Sequence, residues 1–100
     1  MLKIKPGAKV GGLRSEMILA AAIAEGVYRA VGADCVITEG TGGKHGRHSH
    51  HYKGLAIDLR TRNVDTVRHV ELKDRLQNAL GPEYQVILEP DHIHIEYDPA

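Results

Sequence analysis

The chain contains no phenylalanine and no tryptophan, and four tyrosines are its only aromatic residues. A core must then be assembled from Ile, Leu, Val and Ala, with tyrosine at its margins. An aromatic platform on which single-stranded nucleic-acid bases could stack is argued against on the same ground. Cysteine is nearly absent as well. Cys35 stands alone, which rules out an internal disulfide and any zinc site built from several thiolates. Set within Cys35-Val36-Ile37, it is expected to be a small buried residue rather than a nucleophile. Neither sign of charge is in excess, with 13 basic and 13 acidic residues, so no overall field draws the chain to nucleic acid or to an acidic membrane. Long apolar runs are missing too. The longest, Met17 to Ala24, falls far short of the roughly 20 residues that cross a bilayer. The opening Met1-Leu2-Lys3-Ile4-Lys5-Pro6 lacks the apolar stretch of a secretion signal, so the chain is expected to be cytoplasmic as synthesised.

What is present fits one domain, since 100 residues support a single modest core. Ser15 reads as the N-cap of a helix running to about Val31, with Gly32 as its stop. Leu19, Ile23 and Val27 recur at helical spacing on it, and Glu25 and Arg29 form a solvated i, i+4 pair. Asp34 to Glu39 is a short β-branched run and a predicted strand. Residues 40–51 then form a glycine-rich loop without periodicity, of the kind that carries function in a small domain. From Leu55 to Arg60 the pattern alternates. Leu55, Ile57 and Leu59 face a core, and Ala56, Asp58 and Arg60 face away from it. A second helix, capped by Asn63 or Asp65, presents Leu72, Leu76, Ala79 and Leu80 and ends at Gly81-Pro82. His69 lies on it as a surface residue with no histidine partner at helical spacing. Tyr84 to Glu89 and His92 to Tyr97 read as two strands joined by a tight turn at Pro90-Asp91. The expected fold is α+β, with a mainly antiparallel sheet, two helices on one face and an open groove on the other. No long exposed apolar stripe demands a partner, so a monomer is expected.

The chemistry lies in the histidines, seven in all. Four fall between His45 and His51 and lead into a strand that carries Asp58; two more, His92 and His94, alternate on the last strand with Glu96 on the same face. Imidazole nitrogens and a carboxylate brought to one groove make a ligand set suited to zinc, whose catalytic sites keep three protein ligands and an open position. Asp91, Glu89, His92 and Arg47 are available as base or oxyanion donor. On spacing alone, a histidine-rich glycine loop could equally hold adventitious nickel.

Ser49-His50-His51-Tyr52-Lys53-Gly54-Leu55-Ala56-Ile57-Asp58-Leu59 resembles the Ser-x-His-x-x-Gly-x-Ala-x-Asp-Leu signature of the D-Ala-D-Ala metallopeptidases, with every fixed position filled. That family includes zinc DD-carboxypeptidases, vancomycin-resistance dipeptidases and phage L-alanyl-D-glutamate endopeptidases, and shares its fold with the hedgehog signalling domain. Asp91-His92-Ile93-His94 is similar to the family's second element. The resemblance implies one zinc ion held by His51, Asp58 and His94, with Asp91 as general base and His92 flanking the transition state. Glu89-Pro90-Asp91-His92 also fits a Glu-x-x-His form of the element, which would make Glu89 the base and His92 the ligand. Arg47, with Lys44, His45 and His48 nearby, and Ser49 are candidates for holding the substrate. The implied function is hydrolysis of an amide next to a D-amino acid in peptidoglycan stem peptides, by a chain released to the wall or carried by phage. The alternatives are a hedgehog-like zinc module without turnover and a cytosolic D-Ala-D-Ala dipeptidase.

Overall fold

The structure, a computed structural model, describes residues 1–42 and 49–99. In chain order it consists of β1 (Leu2–Ile4), α1 (Ser15–Ala30), β2 (Cys35–Glu39), β3 (Ala56–Arg60), a 3-10 turn (Thr66–Arg68), α2 (His69–Leu80), β4 (Tyr84–Leu88) and β5 (His92–Tyr97). The five strands form one mixed sheet in the order β1-β2-β3-β5-β4. Every pairing is antiparallel except that of β1 with β2. The α+β class and the mainly antiparallel sheet are therefore as expected. The parallel edge strand β1 is an addition.

Alternation along β3, β4 and β5 divides the sheet into a packed face and a polar one. Ile57, Leu59, Ile93, Ile95, Tyr84 and Val86 join α1 and α2 in one buried cluster. Leu72, Leu76 and Leu80 supply the buried stripe of α2, but Ala79 is exposed. On α1 the expected stripe is displaced. Met17, Ala20, Ala21, Ala24 and Tyr28 are buried, whereas Leu19 is 56% exposed and Ile23 and Val27 only pack at the margin. Because α1 is apolar nearly all round, hydropathy alone does not orient it. The alanine face wins because small side chains let the helix lie close to its neighbours.

Tyr28 also departs from a marginal place. It is wholly buried, and its hydroxyl donates to the Arg60 carbonyl at 2.7 Å, so a polar tip is satisfied inside an apolar site. Burial pushes its phenol well above the ordinary 10.0. Ser15 is the first helical residue rather than the N-cap. That position belongs to Arg14, and the Ser15 hydroxyl reaches Glu16 instead. Gly32, at φ 80°, stands just beyond the end of α1. Neither Asn63 nor Asp65 caps α2 through its side chain. Asn63 donates to the Asp34 carbonyl, and Asp65 precedes the 3-10 turn. His69 has a structural task, with Nε2 within hydrogen-bonding distance of the carbonyls of both Thr61 and Val64. Cys35 is fully buried, and burial raises its thiol pKa to about 12. Among the described residues no helix is long and apolar enough to cross a membrane.

Candidate metal centre

The polar face of the sheet gains its residues through register. Asp58 pairs with His94 across β3 and β5, Arg60 with His92, and Ala56 with Glu96. The sheet thus sets Asp58 beside His94 with no loop involved.

His51 arrives from above, in the compact turn that precedes β3. The Ser49 hydroxyl oxygen accepts from the His51 amide at 3.1 Å, and the Tyr52, Lys53 and Gly54 amides bond back to Ser49, His50 and His51 carbonyls. Gly54 closes the turn at φ 74°, and a Cβ there would collide with the Gly12 carbonyl oxygen. Only glycine meets both demands. Ala56, wholly buried, begins the strand. The small residues of the segment between His51 and Asp58 are therefore what lets loop and strand bring the two side chains together.

The three side chains converge on one oxygen. His51 Nε2 lies 3.3 Å from Asp58 Oδ1, and His94 Nδ1 lies 2.9 Å from the same atom. The His51 and His94 rings meet edge to face at 5.0 Å. Tetrahedral zinc with ligands at about 2.0–2.1 Å sets donor atoms roughly 3.3 Å apart, so the His51–Asp58 spacing already suits a metal and the His94 contact is a little shorter. His51, Asp58 and His94 form a group that could hold a metal ion, all donor atoms lying within 4.8 Å of one another.

Support behind the donors points the same way. His51 Nδ1 donates to the Gly40 carbonyl at 2.7 Å, which fixes the ring with Nε2 directed at Asp58. Gly40 is fixed in turn, since a Cβ there would run into the Lys9 carbonyl oxygen and Thr41 bonds back to Lys9 and Gly11. His94 Nε2 contacts Glu96 Oε1 at 2.8 Å, so carboxylates stand at both ring nitrogens. The Asp58 contact, with that of Glu96 behind it, holds the His94 pKa above 6.5 despite burial. For Asp58 itself, burial opposes ionisation, but hydrogen bonds from His51 and His94 together outweigh it. Its carboxyl stays well below 3.8.

The remaining expected residues fall around this group. His92 stands at its edge, with Nε2 3.7 Å from Asp58 Oδ1 and Nδ1 2.6 Å from Asp91 Oδ1. Asp91 is exposed at the hairpin turn, and the His92 hydrogen bond lowers its pKa. Glu89 closes the hairpin through its amide to the His92 carbonyl and is not among the groups gathered on Asp58. Ser49 serves the His51 turn. Arg47, with Lys44, His45 and His48, lies outside the described residues.

Two contributors were not anticipated. Glu96 links His94 to His50, whose Nδ1 lies 3.6 Å from Glu96 Oε2 and whose Nε2 lies 3.8 Å from Asp98. The alternation His92, His94, Glu96 was the available signal for it. The Gly40 carbonyl, a backbone group, left none. Beside the centre a groove of 590 Å³ opens over Thr38, Asp58, Arg60 and His92. Comparison of the chain with family models, curated proteins and solved structures gives no match.

Proposed function

We propose that the protein is a zinc-dependent peptidase that hydrolyses an amide next to a D-amino acid in peptidoglycan stem peptides, with the hedgehog-like fold and the D-Ala-D-Ala metallopeptidase family suggested by its motifs. The observation that carries this reading is the convergence of His51 Nε2 and His94 Nδ1 on Asp58 Oδ1 beside an open groove. The donor set of two imidazoles and one carboxylate suits zinc and leaves a coordination position free. Bound there, zinc supplies Lewis acidity, which polarises a carbonyl and makes water a better nucleophile near neutral pH.

The chain's own residues do the rest. Gly40 and Glu96 orient the two imidazoles, so that little reorganisation is needed when a ligand arrives. In this reading Asp91 is the general base, its carboxylate taking the proton of the attacking water and returning it to the leaving amine. His92, with Nδ1 2.6 Å from Asp91 Oδ1 and Nε2 3.7 Å from Asp58 Oδ1, steadies the tetrahedral oxyanion.

The test is zinc uptake by metal-free protein, followed by hydrolysis of stem peptides, with Asp58→Ala and Asp91→Ala alongside. The expected result is one tightly bound zinc per chain, lost in Asp58→Ala and kept in Asp91→Ala, with hydrolysis abolished in both. Zinc uptake without hydrolysis of stem peptides or of free D-Ala-D-Ala would favour a binding module. No specific uptake would defeat the reading.

A further inference from the structure

The polar face of β5 carries more donors than the centre uses. His92 and His94 lie against Asp58, but the same alternation continues through Glu96 to Asp98, the residue just past the end of the strand. There another histidine meets it. His50, on the turn before β3, has Nδ1 3.6 Å from Glu96 Oε2 and Nε2 3.8 Å from Asp98 Oδ1. One donor atom from each of His50, Glu96 and Asp98 falls within 4.8 Å of the other two, and among the described residues the only other such group is His51, Asp58 and His94.

The backbone holds all three donors in place. The His50 carbonyl accepts from the Lys53 and Leu55 amides, and the Leu55 carbonyl accepts in turn from the Tyr97 amide at 2.9 Å, which ties the turn to the end of β5. Glu96 stands within the sheet, opposite Ala56 on β3 and Gln85 on β4. Asp98 is anchored through its amide to the Glu83 carbonyl at 2.9 Å. The Gln85 side chain reaches its Oδ2 at 3.4 Å, on the opposite oxygen from the one that faces His50.

Donors about 2.1 Å from an octahedral ion stand roughly 3.0 Å apart when adjacent and 4.2 Å when opposite, and the separations from His50 fall inside that range. Only one ring nitrogen can serve a single ion. An ion taken on Nδ1 beside Glu96 therefore requires Asp98, the most exposed of the three, to close on it. Side-chain exposure rises from 15% at Glu96 to 28% at His50 and 46% at Asp98, so water has access to the remaining positions. One imidazole with two carboxylates suits a first-row divalent ion such as zinc, and suits calcium less, since calcium takes oxygen ligands. Glu96 belongs to both groups. Its Oε1 contacts His94 Nε2 at 2.8 Å while its Oε2 faces His50, so an ion on one side draws on the carboxylate that orients a ligand on the other.

We infer that His50, Glu96 and Asp98 form a second divalent-metal site, weaker than the His51–Asp58–His94 centre and coupled to it through Glu96. Its occupant is a first-row divalent ion completed by water, and no hydrolysis is required of it.

The test is calorimetric titration of the metal-free chain with zinc chloride, with equilibrium dialysis to count bound zinc, in wild type, His50→Ala, Asp98→Asn, Glu96→Gln and Asp58→Ala. Wild type is expected to take up a second zinc per chain after the first. His50→Ala and Asp98→Asn should each lose the second equivalent and keep the first. Glu96→Gln should lose the second and weaken the first about 10–100-fold, as removal of a ligand's supporting partner does. Because His50→Ala alters the turn that carries His51, Asp98→Asn, which keeps size and shape, is the decisive variant. A single equivalent in wild type that both His50→Ala and Asp98→Asn retain overturns the second site and leaves the first standing. A second equivalent that survives in both variants overturns it as well, since the ion then sits elsewhere. A single equivalent lost in His50→Ala and Asp98→Asn but kept in Asp58→Ala would uphold this site and defeat the peptidase reading.

Discussion

The two faces of β3 and β5 are built from alternate residues of the same short segments, yet they are held by different forces. Ile57, Leu59, Ile93 and Ile95 are all wholly buried beneath the helices, where close packing and removal from water stabilise them. Their immediate neighbours Asp58, His92 and His94 touch one another through charge and hydrogen bonds, on a face that opens into the groove. One face tolerates no loss of volume, and the other no loss of direction. The difference shows how a domain of this size supports both a core and a candidate metal centre: strand parity separates them by a single residue.

Substitutions on each face should fail in distinguishable ways. The largest effect is expected from Ile93→Ala, which opens a cavity in the packed face and should cost about 2–5 kcal/mol in denaturant unfolding, while the molecules that remain folded bind zinc normally. A loss of zinc affinity per folded molecule would show that the faces are not independent. Next is Gly40→Ala, which displaces the carbonyl that orients His51. Zinc affinity should fall about 10–100-fold, the usual consequence of losing a ligand's supporting hydrogen bond, and competition with a chromophoric chelator measures it.

The smallest effect concerns pH and the metal-free protein. Asp58 is held below its ordinary 3.8 and His94 above its ordinary 6.5. The stabilisation from Asp58 is complete above 3.8 and lost as pH falls through its folded value. That from His94 is complete below 6.5 and lost as pH rises through its folded value. Both are therefore fully present only between those limits, and stability from thermal unfolding should peak there. His94→Ala should flatten the profile. Ile93→Ala should lower it while keeping its shape.

Much of this division is legible in the amino-acid order. Alternation placed Asp58 opposite the core, and put His92 and His94 on one face with Glu96. The helices, the terminal hairpin and the stops at Gly32 and Gly81 could be located from apolar spacing and turn residues. Other features leave no local trace. Strand β1 is three residues long and exposed throughout, so its pairing with β2 depends on a partner distant in sequence. The orientation of α1 is hidden because apolar residues surround it. Parity also leaves His92 and His94 equivalent, and only the cross-strand register sets His94 directly beside Asp58 and His92 at the edge of the centre, against Asp91. The Gly40 carbonyl could not be found from side-chain chemistry at all, being backbone.

The pairing of Asp58 with His94 has a consequence for which genetic changes the chain can survive. Substitutions alter one side chain at a time, but a single codon inserted or deleted within β3 or β5 would turn every following residue of that strand to the opposite side. Beyond the lesion, isoleucines would face the groove and histidines the helices, losing packing and centre together. A library of one-residue insertions and deletions should therefore show these two strands as sharply bounded intervals of intolerance, even at positions where many substitutions are accepted.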